Sequence, residues 1–451
     1  MKLIDWLKPG IKVKRWILFS IFGILLIAFG FTELVMHRVY DLAYKVFYIF
    51  LNVTGILVLY VSVTEGMKSI IALINKGYIK VSLNNEKIEN LIYEKRLLVK
   101  GPKIVVIGGG TGLSTMLRGL KYYTSNITAI VTVADDGGGS GDLREDLGIL
   151  PPGDIRNCIL ALADTEPLME ELLQYRFKDG RLKNQSFGNL FLAAMDGISD
   201  NFEDAVQKMS SVLAVTGKVL PVTLDDMTLK AELENGNIIE GESNIPNEAY
   251  KQKSKIKNLK IVPENAKPLK DALTAIKEAD AIVLGPGSLY TSIIPNLLVK
   301  DIAISVRKSN ALKIYISNIM TQPGETDNFK VSDHVNIINK YCGKDTVDCV
   351  VANVDPIPDH LKEKYLDEDS NLVELDDAKL KKLGLDIVKA NLVKIKKDLI
   401  RHDSDHLAEV LIETIMEKKL LYDRKKILEY MYLSQRVKSK ESERKNLNKK
   451  L

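Results

Sequence analysis

The hydrophobic pattern divides the chain into regions of different texture. Trp16 to Phe31 carries no charge, and the apolar character continues to Met36 past Thr32 and Glu33. A second apolar run, Val46 to Val63, is interrupted by Asn52, Thr54 and Ser62. Each is close to the ~20 residues that cross ~30 Å of hydrocarbon. Lys12, Lys14 and Arg15 before the first run resemble the start of a signal peptide. No small-residue cleavage site follows, however, and a second run comes soon after. The pattern predicts a transmembrane helical hairpin rather than a buried one, because no soluble sequence nearby would cover two such helices. Lys2, Lys8, Lys12, Lys14 and Arg15 precede the hairpin, Lys68, Lys76 and Lys80 follow it, and the connector is short and less basic. The positive-inside rule puts both flanks, and everything after residue 65, in the cytoplasm. The next stretch, MKSIIALINKGYIKV, has amphipathic-helix spacing that suits either the membrane surface or a plain juxtamembrane helix.

From Lys103 the pattern changes to alternating strand and helix signals. KIVVIG, NITAIVTVAD, ADAIVLGPGS, LKIYISNIM and DCVVANVD are β-rich runs that end in loops. LSTMLRGLKYY, TEPLMEELLQYRF, NFEDAVQKMSSVLA and LKDALTAIKEA have helical spacing. This alternation predicts an α/β fold with a doubly wound, mostly parallel sheet. In TLKAELENGNIIEGES, Asn235-Gly236 between two alternating runs is a hairpin signal, expected to add antiparallel strands at a sheet edge. The chain therefore reads as a membrane anchor (1–65), a connector (66–102), an α/β body (103–422) and a basic tail (423–451) whose first half places a helix on the body.

Composition changes this picture little. The 451 residues carry a formal net charge of +4, and their make-up is that of a globular protein. Cys158, Cys342 and Cys349 form no CxxC pair, which fits a reducing compartment. No nucleic-acid partner is expected.

The candidate chemistry lies where strands end. In VIGGGTGLST, Gly108 to Gly112 join a strand to a helix expected to begin near Leu113. Gly109, Gly110, Thr111 and Gly112 let a phosphate approach main-chain N–H groups at a helix N-terminus. A Walker loop would end in GK[ST], and no Lys is present; a dinucleotide fingerprint would place its third glycine where Leu113 stands. The second strand ends in ADDGGGSG. Asp135 and Asp136 suit sugar hydroxyls, and Gly137 and Ser140 belong to a second close-contact loop. No metal site is assigned; a magnesium ion, if bound, falls on Asp135 and Asp136. In PPGDIRN, Asp154 caps a helix, and Arg156 and Asn157 sit in its first turn, where a cation opposes the dipole and so suggests a phosphate or acidic partner. Asn189 in SFGNLF either reads a uracil or amide edge or serves a helix cap. Gly285, Gly287 and Ser288 repeat the glycine-loop logic, and Asn318 and Thr321 follow the next strand. His402 and His406 have metal-ligand spacing but no obvious third ligand, so Asp403 or Ser404 reads as a helix cap.

Taken together, VVIGGGTGLSTMLRGLK, ADDGGGSG, PPGDIRN, SFGNLFLAAM, GPGSLYTSIIPNLLV and NIMTQPGETDNF resemble the gluconeogenesis factor family, related in fold to 2-phospho-L-lactate transferase. The resemblance covers about residues 103 to 420, with six blocks in order. It implies a Rossmann-like domain that binds UDP-sugars, notably UDP-N-acetylglucosamine, and that regulates cell shape and cell-wall balance during gluconeogenic growth. It implies no established catalytic activity. The alternative is a magnesium-dependent transferase of a phospholactyl-type group. The expected partners are the nucleotide sugar, the membrane, cell-wall or envelope proteins, and a second copy of the chain.

Overall fold

The two apolar runs are helices in the computed structural model, which describes residues 13–36, 42–75, 98–99, 101–165, 167–421 and 430–438. The first unit of the chain, Met1–Val99, holds α1 (Val13–Met36) and α2 (Leu42–Asn75). Stretches Leu18–Val35 and Leu42–Glu65, each of mean hydropathy 2.2, are long and apolar enough to span a bilayer. Their large side chains point outward: Leu25 is 61% exposed and Phe50 66%. Such a surface is stable in lipid and costly in water. Polar side chains bond back to their own helices, as in Asn52 Nδ2 to the Tyr48 carbonyl (2.9 Å) and Thr54 Oγ1 to the Phe50 carbonyl (2.8 Å). The helices approach closely at glycines: a Cβ on Gly55 would lie 2.9 Å from the Gly23 carbonyl oxygen. The second span was expected to stop near residue 65. Instead α2 continues to Asn75, with no proline to end it, so the start of the connector prolongs the span helix. The loop near Asp41 and connector residues 76–97 lie outside the described residues.

The second unit, Lys100–Leu451, is built on seven parallel strands in the order β10-β9-β8-β7-β1-β2-β3. They are β1 (Ile104–Gly108), β2 (Ile127–Val131), β3 (Lys218–Pro221), β7 (Ala281–Leu284), β8 (Leu312–Ile316), β9 (Cys349–Asn353) and β10 (Asp386–Ala390). Central strands such as IVVIG and AIVL are apolar at nearly every position because helices cover both faces. Order reverses at β1: the chain builds outward through β2 and β3, then returns to place β7 on the other side of β1. Such a switch opens a crevice at the strands' carboxyl ends.

The Asn235-Gly236 hairpin forms as expected, with Gly236 at φ 89°. Its place differs from expectation. β4 (Thr228–Leu233), β5 (Ile238–Glu240) and β6 (Ile256–Val262) make a separate three-stranded antiparallel sheet rather than an edge of the main one. The alternating burial of β4 lets it cover the body with one face only. A small hairpin, β11 (Val393–Lys396) with β12 (Leu399–His402), follows β10. Within the tail, residues 430–438 are helical, with Leu433 and Val437 buried in the core.

Candidate functional site

The helix after β1 starts a turn earlier than expected, as α3 (Gly110–Leu120) with Gly109 as N-cap. Three other helices flank the crevice: α4 (Gly138–Leu147), α5 (Pro152–Leu162) and α6 (Phe187–Gly197). A cleft of about 690 Å³ opens at the switch between β1 and β7. Gly110, Thr111 and Gly112 line one wall, Asp135, Gly137 and Ser140 a second, and Arg156, Asn157 and Asn189 a third. Gly287, Ser288, Asn318 and Thr321 complete it from the loops after β7 and β8. Six chain segments thus converge on one cleft, as strand-end loops do in open α/β sheets.

Three expected residues lie elsewhere. Gly109 is packed against Ser292 and Asp154 and does not line the cleft. Gly285, at φ 80°, turns the chain at the end of β7 and donates its N–H to the Ile107 carbonyl. Asp136 turns away: its carboxylate accepts the Glu242 N–H (2.8 Å) and the Ser243 N–H (2.9 Å). It therefore pins the small antiparallel sheet to the body. Asp135 faces the cleft, held by the Gly137 N–H at 3.0 Å. The neighbouring acids separate because consecutive side chains leave an extended segment on opposite sides.

The glycines serve packing as well as access. A Cβ on Gly110 would lie 2.5 Å from the Asp154 Cα, and one on Gly112 1.9 Å from the Pro286 oxygen. The Ser114 and Thr115 hydroxyls donate to the Thr111 carbonyl within their own helix. Ser186 is the N-cap of α6, accepting the Asn189 N–H at 3.1 Å, so the Asn189 side chain is not the cap. Its Oδ1 is buried without a partner on the cleft wall. Gln322 Nε2 donates to Ser288 Oγ (2.7 Å), and Thr321 is tied to Asn371.

The sequence reading missed several lining residues. Asp154 does not cap α5, whose N-cap is Pro151; it faces the cleft behind Gly110. Glu242 reaches in from beyond β5, and Tyr365, Arg401 and His402 close the other end. Asp403, as expected, caps α7 (Ser404–Ile415), accepting from Asp405 and His406 N–H groups. The two histidines diverge: His402 Nε2 meets the Ser317 carbonyl (3.2 Å), and His406 Nδ1 meets Glu409 (3.1 Å). Among the described residues no group of three or more acidic, histidine or cysteine ligands is assembled with metal geometry.

The carboxyls of the cleft hold protons unusually well. Burial lifts Asp154 to about 6, with the Asp135 charge adding to the shift. Burial, then the charge of Asp135, lifts Glu242 to about 8. Asp135 is also raised, mainly by burial, against its bonds to Gly137 and Ser140. The folded protein therefore keeps protons that the unfolded chain releases at ordinary carboxylate values. The stability tied to these groups is complete below about pH 4 and is lost as pH rises through the folded values, about 6 and about 8. The melting temperature of the ligand-free protein is expected to fall between about pH 4 and about pH 8, and Glu242→Gln to flatten the upper part. A flat wild-type profile in differential scanning calorimetry would contradict the shared-charge account. Burial holds the His402 imidazole down at about 4, so it stays neutral near neutrality.

The family described as 2-phospho-L-lactate transferase CofD matches residues 104–393. A Clostridium acetobutylicum relative is 68% identical over 439 residues, 97% of either chain, so the match extends through the helical hairpin. The gluconeogenesis factor of Bacillus subtilis is 50% identical over 317 residues, 70% of this chain and 99% of that one. A crystal structure of a UPF0052 family member from Bacillus halodurans superposes with a TM-score of 0.65 at 48% identity, covering 68% of this chain and 98% of that one. With the parallel sheet, the cleft at its switch point and these relatives together, the chain belongs to the gluconeogenesis factor family, on the CofD-type α/β fold.

Proposed function

We propose that the protein is a membrane-anchored, cytoplasm-facing receptor for UDP-N-acetylglucosamine that couples the supply of this nucleotide sugar to cell shape, cell-wall synthesis and central carbon metabolism. The observation that carries the reading is the Gly110–Gly112 start of α3, open to a cleft at the switch point and free of lysine. Backbone N–H groups and the helix dipole suit a diphosphate there. A nucleotide sugar presents no γ-phosphate for a Walker lysine to hold. Asp135 and Asn318 around the cleft suit a ligand with many hydroxyl and amide groups. Incubation with UDP-N-acetylglucosamine should raise the melting temperature while the nucleotide sugar is recovered intact by chromatography.

One observation favours a second reading, a magnesium-dependent transferase. Asp135, Asp154 and Glu242 crowd negative charge at the cleft. A divalent cation would lower all three into their ionised forms, with Asp135 and Asp154, in place of Asp136, as its holders. It would supply charge neutralisation for a transferring phosphoryl group. Magnesium-dependent release of UMP from a nucleotide-linked donor, the product left when its diphosphate bond breaks, would favour this reading over the receptor.

The anchor reading is tested by topology. A cysteine placed near Asp41 should react with an impermeant thiol reagent in intact cells, against a low background, since Cys158, Cys342 and Cys349 are buried. Labelling confined to cysteines in the α/β body would reverse the orientation.

A further inference from the structure

Arg156 is an expensive residue to bury. It is 8% exposed, near the N-terminus of α5, where the helix dipole opposes a cation. Three neighbours in the SFGN segment accommodate it. Ser186 Oγ accepts from its Nη1 at 3.1 Å. Gly188 leaves its path clear, since a Cβ there would lie 2.6 Å from the Arg156 Cδ. Asn189 lies beside it on the same cleft wall, its Oδ1 unpartnered. A second cation is brought to this place. Arg176 is bridged through its backbone to Ser186, donates Nη1 to the Asn184 carbonyl, and also lines the cleft.

Among the described residues neither guanidinium forms an ion pair, and the Nε of Arg156 is buried without a partner. Burial disfavours the charged form of Arg156, the positive charge of Arg176 adds to this, and the Asp154 carboxyl offsets it only in part. Two like charges beside each other, one of them buried, are stabilised by an anion between them. The diphosphate loop is not that place. Asp154, two residues before Arg156 and about 200° around the helix, faces Gly110, so Arg156 points to a different wall.

We propose that Arg156 and Arg176 form a second anion subsite in the cleft, which takes the phosphate or carboxylate group of a small co-ligand. The unpartnered Asn189 Oδ1 suits a hydroxyl or N–H next to that group. The co-ligand occupies the cleft together with whatever the Gly110–Gly112 loop holds, so the protein reads two metabolites at once. This inference goes beyond the nucleotide-sugar reading and does not depend on it.

Calorimetric titration of the full chain in nanodiscs, with inorganic phosphate and with acetate as probes, tests it. Saturable binding of either probe is expected: phosphate alone marks a phosphoryl group, acetate alone a carboxylate, and both an unselective oxyanion site. Arg176→Gln, on an exposed side chain, should weaken that binding about tenfold to a hundredfold, as should Arg156→Lys, which keeps the charge but not the fork. Arg181→Gln, in the same loop but off the cleft, should change nothing. Prior saturation with UDP-N-acetylglucosamine should leave the probe's affinity in place. Absence of binding, binding indifferent to Arg176→Gln and Arg156→Lys in variants that melt like wild type, or displacement by the nucleotide sugar would overturn the proposal. A protein that binds phosphate but no nucleotide sugar would retain the subsite and remove only the receptor reading.

Discussion

Gly112→Ala is expected to lower the stability of the α/β unit by about 3 kcal/mol, roughly 4 °C in melting temperature for a unit of this size. The added Cβ would stand 1.9 Å from the Pro286 oxygen and 2.6 Å from its carbonyl carbon. Both are backbone atoms, so no flexible side chain can yield. The effect is large because the contact joins the loop after β1 to the loop after β7, the two edges of the switch point. Gly197→Ala is the control. Nothing lies within 4 Å of a Cβ there, and the residue ends α6 without a left-handed backbone. That change should be neutral or stabilising by up to about 1 kcal/mol. Equal melting of the two variants in scanning calorimetry would show that the two loops do not interlock.

The paired acids should give opposite phenotypes. Asp136→Ala removes the acceptor of two backbone N–H groups more than a hundred residues away in sequence, from Glu242 and Ser243. Charged acceptors of this kind contribute about 1.5–3 kcal/mol, and the loss should appear as a lower melting temperature and looser attachment of the small sheet. Asp135→Ala removes a cleft carboxylate and a like charge that raises Asp154 and Glu242. It should leave stability unchanged or raise it, and should weaken nucleotide-sugar binding about tenfold to a hundredfold. If Asp136→Ala lost the ligand while melting normally, the orientation of the pair would be the reverse of that described.

This pair also shows where sequence reasoning stops. The parallel core was legible because strands covered on both faces are continuously apolar, as IVVIG and AIVL are. The strand-end glycine loops were legible for the same reason, since each follows such a run. Which of two adjacent acids faces the cleft depends on a partner 106 residues away, and no local pattern carries that. Glu242 and His402 enter the cleft from the inserted sheet and the last hairpin, through tertiary placement alone. Asp154 looked like a helix cap because PPGD is a helix start. Its task became visible only when the missing Cβ of Gly110 proved to be the space its backbone fills. A signal was present for Arg156, a cation in the wrong half of a helix. SFGN suggested either a base-reading or a capping asparagine, and only the fold brings the Arg156 side chain across Gly188.

The proposed function requires that the cleft at the switch point hold a nucleotide sugar by its diphosphate. Isothermal titration of the full chain with UDP-N-acetylglucosamine, NAD and ATP tests it most directly. One saturable site per chain for UDP-N-acetylglucosamine is expected, with none for NAD or ATP under the same conditions. At a hundred times its dissociation constant the ligand should also stabilise the fold by about 2.7 kcal/mol. Heat from NAD or ATP, with none from UDP-N-acetylglucosamine, would contradict the account and return the loop at Gly110 to a dinucleotide or triphosphate role.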